Sequence, residues 1–134
     1  MENNLKPPFD LQDNSIDVLY CISVFTHLSR EMHLEWINEI KRVLKPDGIF
    51  ICSLHGDKPH IISNLLPDEA TKFMNGEFIQ RGHVKEGSRI YTAYHSDKFI
   101  IDEFLVGFKI IEKSDVDFSQ SIWCAHGLVN HETP

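Results

Sequence analysis

Two short stretches are apolar almost without interruption, residues 15–23 (SIDVLYCIS) and 49–54 (IFICSL). Both have strand length and are rich in β-branched and aromatic residues. Runs of this kind fit strands of a parallel sheet, buried on both faces. Between them the period changes: Met32, Trp36, Ile37, Ile40, Val43 and Leu44 recur at helical spacing with charges between them. Ser29 can cap the helix, Glu31 suits the positive end of its dipole, and Lys41, Arg42 and Lys45 suit the negative end. Pro46 stops the helix, and Lys45-Pro46-Asp47-Gly48 has Pro and Gly where a type I turn takes them. Strand, helix and strand in this order predict a parallel βαβ unit over 15–54, with a right-handed crossover and the helix covering one sheet face.

The pattern beyond residue 56 is weaker. Residues 67–76 (PDEATKFMNG) read as a short helix with acids in the first turn and Gly76 past its end. Residues 77–89 read as a polar loop and 89–94 (RIYTAY) as extended. Residues 96–107 place Phe99, Ile100, Phe104 and Leu105 on one helical face, with Ser96 as the cap and Gly107 as the stop. Two further strands, 108–113 and 120–129, are joined by a link too short for a parallel crossover, so they pair antiparallel.

Composition narrows the function classes. A chain of 134 residues suits one domain, and 42% apolar residues suffice for a packed core. No stretch has the length of a membrane span, and residues 1–10 lack the pattern of a secretory signal, so a cytoplasmic protein is expected. The net charge of −7 argues against nucleic-acid partners, and helix-dipole pairing accounts for the basic cluster at Lys41, Arg42 and Lys45. Cys21, Cys52 and Cys124 lie in or beside apolar runs without CxxC spacing, the pattern of buried free thiols.

Residues 7–28 (PPFDLQDNSIDVLYCISVFTHL) and 39–56 (EIKRVLKPDGIFICSLHG), in this order, resemble the C-terminal half of a class I S-adenosylmethionine-dependent methyltransferase. They are similar to that superfamily's fourth strand with its flanking segments, and to the RVLKPGG turn into its fifth strand. Asp47 stands where that turn commonly has Gly. The resemblance implies an α/β, Rossmann-like methyltransferase fold in truncated form: residues 1–134 as one partial domain, a parallel βαβ (15–54), then a C-terminal antiparallel strand pair. It also implies S-adenosylmethionine as cofactor and a small-molecule acceptor with an oxygen or nitrogen nucleophile. The glycine-rich loop and the ribose-binding acid of the superfamily have no counterpart, since none of the seven glycines forms Gly-x-Gly.

Ligands of open parallel sheets bind beyond the carboxyl ends of the strands. The first strand end offers Cys21, Ile22, Ser23, Phe25 and His27 as cofactor-binding residues, although Ile22 and Phe25 equally suit a core. The second ends at His55, a candidate catalytic base whose unperturbed pKa near 6.5 suits the task. It equally suits a strand end with no catalytic duty, because methyl transfer often needs only alignment. His55 and His60 offer too few nitrogens for a metal site, so no metal is expected. Tyr94 and His95, within a segment (YHS, 94–96) similar to a sugar- or polyketide-associated branch, are candidate substrate-binding residues; Tyr94 suits a core position as well. Asn3 and Asn4 stand roughly where the superfamily has a polar contact to adenine.

In a full methyltransferase the strand matching 15–23 lies mid-sheet. With one side unpartnered, a long apolar edge invites pairing with another chain, and a homodimer or swapped assembly through 15–23 is expected. Two other functions remain open: a catalytically silent module acting through self-association or a partner chain, and a different doubly wound domain sharing only the βαβ geometry.

Overall fold

A computed structural model describes residues 7–81, 92–117 and 120–127. The predicted βαβ unit is present as β1 (Ile16–Cys21), α1 (Arg30–Val43) and β2 (Leu44–Leu54). β1 and β2 run parallel, with Leu19 opposite Phe50 and Cys21 opposite Cys52. Ser29 caps α1 as expected, its Oγ accepting from the Met32 amide at 3.2 Å. Met32, Trp36, Ile37, Ile40 and Val43 all face inward, as their spacing requires.

The helix ends earlier than Pro46, and the chain enters β2 directly at Leu44. The Lys45–Gly48 turn is accommodated within β2 as a register shift against β1 between Ile16 and Val18. Asp47 has φ +43°, whereas a type I turn has negative φ at both central residues. The expected type I turn is therefore corrected to a left-handed, type II-like one. The basic cluster is occupied within the molecule. Arg42 pairs with Glu39 and Asp13, Lys45 pairs with Asp17, and Lys41 lies over the Phe108 ring.

Downstream come α2 (Pro59–Ser63), α3 (Pro67–Met74), β3 (Ile79–Arg81), β4 (Thr92–Tyr94), α4 (Asp97–Phe99) with a π-helical turn (Ile100–Phe104), β5 (Phe108–Asp115) and β6 (Ser121–Gly127). β5 and β6 pair antiparallel, as their short link requires. In the four-stranded sheet β6 lies between β2 and β5, giving the order β1-β2-β6-β5. The expected loop over 77–89 is corrected in part, since Ile79–Arg81 pairs with β4 in a small second sheet. Residues 82–89 of that loop lie outside those described.

One face of the large sheet is covered by α1 and the α4 segment. Phe25, Phe50, Phe99, Phe104 and Phe108 are fully buried between these layers, each contributing about 1.5–3 kcal/mol. The other face is open along β1: Val18 is 54% exposed, Tyr20 72% and Ile22 50%. The expectation that this strand is buried on both faces is thus corrected. Leu19 and Cys21 pack on the core, whereas the alternate residues face outward. β1 is also an edge strand. Among the described residues no helix is long and apolar enough to cross a membrane.

Candidate functional site at the strand ends

Parallel pairing places the carboxyl ends of β1 and β2 side by side. Beyond β1 the chain turns sharply at Ser23, a non-glycine residue with φ +58°. Its amide donates to the Ser53 Oγ at 2.6 Å, which ties the turn to β2. Left-handed backbone at a non-glycine residue costs of order 1–3 kcal/mol and concentrates at functional sites. Ile22, Ser23 and Val24 are exposed here.

The chain then forms a 3-10 turn, Phe25–His27. It drives the Phe25 ring into the core, 4.9 Å from the Phe104 ring and 5.1 Å from that of His33. The ring is therefore a packing element and presents no surface to a ligand. His27 ends the turn half-buried. Burial pushes the Cys21 thiol up to about 11, leaving it a neutral neighbour of the strand end.

His55 leaves β2 into the interior, only 6% exposed, with its ring stacked against Tyr94 at 5.2 Å and His95 at 5.3 Å. Burial pulls its pKa down to about 4, against a hydrogen bond to the Ala93 backbone that favours the charged form. The unperturbed value expected from sequence is thereby corrected: at neutral pH His55 is uncharged and a weak base. The buried Nδ1 has no hydrogen-bond partner, so the ring presents a lone pair to its surroundings. The loop is held on several sides. The Gly56 amide donates to the His95 carbonyl at 2.9 Å, Ser121 Oγ donates to the His55 carbonyl at 3.1 Å, and Asp57 and Asp97 exchange amide-to-carboxylate hydrogen bonds.

Tyr94 is half-buried beside His55 with the Arg81 guanidinium over its ring at 5.6 Å. His95 is fully buried and faces His33, Nε2 to Nε2 at 2.7 Å. The structure thus brings Ser23, His55 and Tyr94 to one end of the sheet, while Phe25 and His95 enter the core behind it. Asn3 and Asn4 lie outside the described residues. Two residues of this arrangement escaped the sequence reading. Ser53 gave no signal beyond a hydroxyl at a strand end. His33 gave one: it is a polar residue within the apolar stripe of α1. Among the described residues no three His, Cys, Asp or Glu side chains converge as metal ligands.

Residues 3–52 match the family described as "Methyltransferase domain". That span contains the βαβ unit up to Cys52 and stops before Ser53 and His55. No curated protein is similar to the chain in sequence. Among solved structures, a SAM-dependent methyltransferase from Methanosarcina mazei is similar in fold, with TM-score 0.64 and 15% identity over 96% of this chain and 66% of its own. A protein from Pyrococcus horikoshii OT3 is similar with TM-score 0.66 and 14% identity, over 93% of this chain and 57% of its own. The glycopeptide N-methyltransferase MtfA, complexed with S-adenosyl-L-methionine, is similar with TM-score 0.54 and 12% identity, over 97% of this chain and 57% of its own. The chain therefore spans 57–66% of the length of these structures. It carries part of the Rossmann-like α/β fold that these structures share, with a methyltransferase-domain match over its first strand, crossover helix and most of its second strand.

Proposed function

We propose that this chain forms part of a cytoplasmic enzyme that moves a methyl group from S-adenosylmethionine to the oxygen or nitrogen of a small molecule. The carrying observation is that the family match coincides with the βαβ unit whose strand end holds Ser23 in a left-handed turn. The cofactor supplies an electrophilic methyl on a sulfonium. Within this chain, exposed Ile22 and Ser23, with Cys21 and His27 behind them, fit one wall of its site. Residues 1–134 hold no Gly-x-Gly cradle, so they would supply only part of that site. Tyr94, half-buried, would border the acceptor, with the uncharged and buried His55 ring stacked behind it. Alignment of acceptor and methyl is then the main task, since transfer from a sulfonium needs no strong base. Calorimetry of the chain with S-adenosylmethionine tests this reading: micromolar binding by the chain supports it, and absence of binding at millimolar cofactor favours a silent or incomplete form.

The open face of β1 favours a second reading, a catalytically silent module that associates with itself. Val18, Tyr20 and Ile22 are half or more exposed on an edge strand, the kind of surface that recruits another strand. A homodimer through β1 would cover it. Light scattering at micromolar concentration decides: a dimer mass supports the pairing, and a clean monomer sinks it.

A further inference from the structure

The polar groups behind the strand ends are ordered in one direction. The His33 Nδ1 lies 2.6 Å from the Ser29 carbonyl oxygen. A carbonyl only accepts, so this nitrogen carries the hydrogen. A neutral imidazole has one N–H, which leaves the His33 Nε2 as a lone pair. The nitrogen facing it at 2.7 Å, Nε2 of His95, must then donate. His95 Nδ1 is left as an acceptor, the backbone amide of His55 points to it at 3.5 Å, and the Phe25 backbone also hydrogen-bonds the His95 ring. The aromatic rings of Phe25, Phe78, Phe99 and Phe104 pack around His33, and those of Phe78 and Phe99 around His95. The titratable group next to the pair is His55, with His27 beyond it. Two imidazoles in such a core are costly unless their nitrogens are paired, and here every nitrogen of both rings has a partner.

We propose that His33 and His95 are positioning residues for His55: the directed chain from the Ser29 carbonyl through both imidazoles to the His55 amide fixes the exit of β2, and with it the direction of the free His55 lone pair. A helix residue 22 positions earlier in sequence thereby sets the geometry of the second strand end. The functional weight of this role rests on reading the strand ends as the reaction side. The hydrogen-bond order itself does not, and it can be measured without cofactor.

The test is long-range ¹⁵N–¹H correlation of the imidazoles in the intact chain at neutral pH. His33 is expected to be protonated on Nδ1 alone and His95 on Nε2 alone. In His33→Leu, His95 should lose its single-tautomer pattern, and the His55 amide and ring resonances should shift. In His33→Gln, whose side-chain carbonyl can accept from His95, both signatures should return toward wild type. His95 protonated on Nδ1 in the wild type overturns the proposal, as does a folded His33→Leu chain whose His55 resonances stay in place. Should His33→Leu fail to fold, the wild-type tautomers and His33→Gln decide. Cofactor calorimetry on the same sample separates the two readings, because the tautomers can stand where methyl-donor binding fails.

Discussion

The Ser23 amide donates to the Ser53 hydroxyl across 2.6 Å, joining the ends of two parallel strands. Ser53 is buried and Ser23 is held at φ +58°, so the two features depend on each other. Removing the hydroxyl in Ser53→Ala leaves the amide without its acceptor, at a cost of about 1–2 kcal/mol. Ser23→Gly should act oppositely, raising stability by about 0.5–1 kcal/mol as the left-handed strain disappears. Urea unfolding of both variants measures this, and a wild-type midpoint for Ser53→Ala would show that the hydrogen bond contributes nothing.

Asp47 is a second left-handed residue, at φ +43° in the turn that leads into the core of β2. Aspartate tolerates this region better than most residues, yet glycine enters it at no steric cost. Asp47→Gly should therefore raise stability by about 0.5–1 kcal/mol. The side chain is exposed, so the gain comes from the backbone alone. An unchanged or lower thermal midpoint would mean that the turn is not strained.

The parts of the fold legible in the sequence were those set locally. The βαβ unit could be read because its signals agree: two apolar runs, the Ser29 cap and a helical stripe from Met32 to Val43. The antiparallel pairing of β5 and β6 followed from a short link. What could not be read depends on distant partners. Insertion of β6 between β2 and β5 is decided by packing, and so is the exposure of Val18 and Tyr20, since an apolar run does not say which face finds a cover. The 3-10 turn that sends Phe25 inward, the pairing of Ile79 with Tyr94 and the burial of His95 against His33 all arise from contacts over long sequence separations. At the strand ends, sequence did not show which side chains would face outward there.

Gly56 follows His55 with φ +78°, and a Cβ at this position would lie 2.7 Å from Asp97 Oδ1. That oxygen accepts from the Asp57 amide, and the other carboxylate oxygen accepts from Lys113 Nζ. Gly56→Ala combines left-handed strain with displacement of Asp97, and a loss of about 2–3 kcal/mol is expected. Asp97→Ala removes the clash as well as the hydrogen bonds. In a double-mutant cycle the double variant should therefore lose less than the sum of the two single losses, and strict additivity would place the strain elsewhere.

Acid should unfold the protein earlier than its carboxylates alone require. Burial depresses the pKa values of His33 and His55 to about 4, and that of His95 falls well below 6.5. In the unfolded chain these groups take up protons as pH falls through about 6.5, whereas in the folded chain they stay neutral. Stability is therefore full above pH 6.5 and is lost on descending toward pH 4. For His33 the loss amounts to about 3 kcal/mol across that window. Chemical denaturation at a series of pH values reads the slope directly. His33→Leu should flatten it relative to its own stability at pH 8, and a slope equal to wild type would show that His33 does not titrate on unfolding.

Tyr20 is 72% exposed and Val18 54%, on the outward face of the edge strand β1. If β1 joins two copies, a charge on this face must be buried or brought against its symmetry mate, and edge lysines are a common device for blocking such pairing. Tyr20→Lys and Val18→Lys should each leave the folded monomer within about 0.5 kcal/mol of wild type, because neither side chain packs in the core. Each should also raise the dissociation constant of the dimer at least tenfold. Sedimentation equilibrium across a concentration series measures this, with Ile111→Lys as a control on the opposite edge strand, where an exposed residue has no part in the proposed contact. Equal weakening by all three substitutions would assign the effect to net charge, and dimers unaffected by Tyr20→Lys and Val18→Lys would move the interface away from β1.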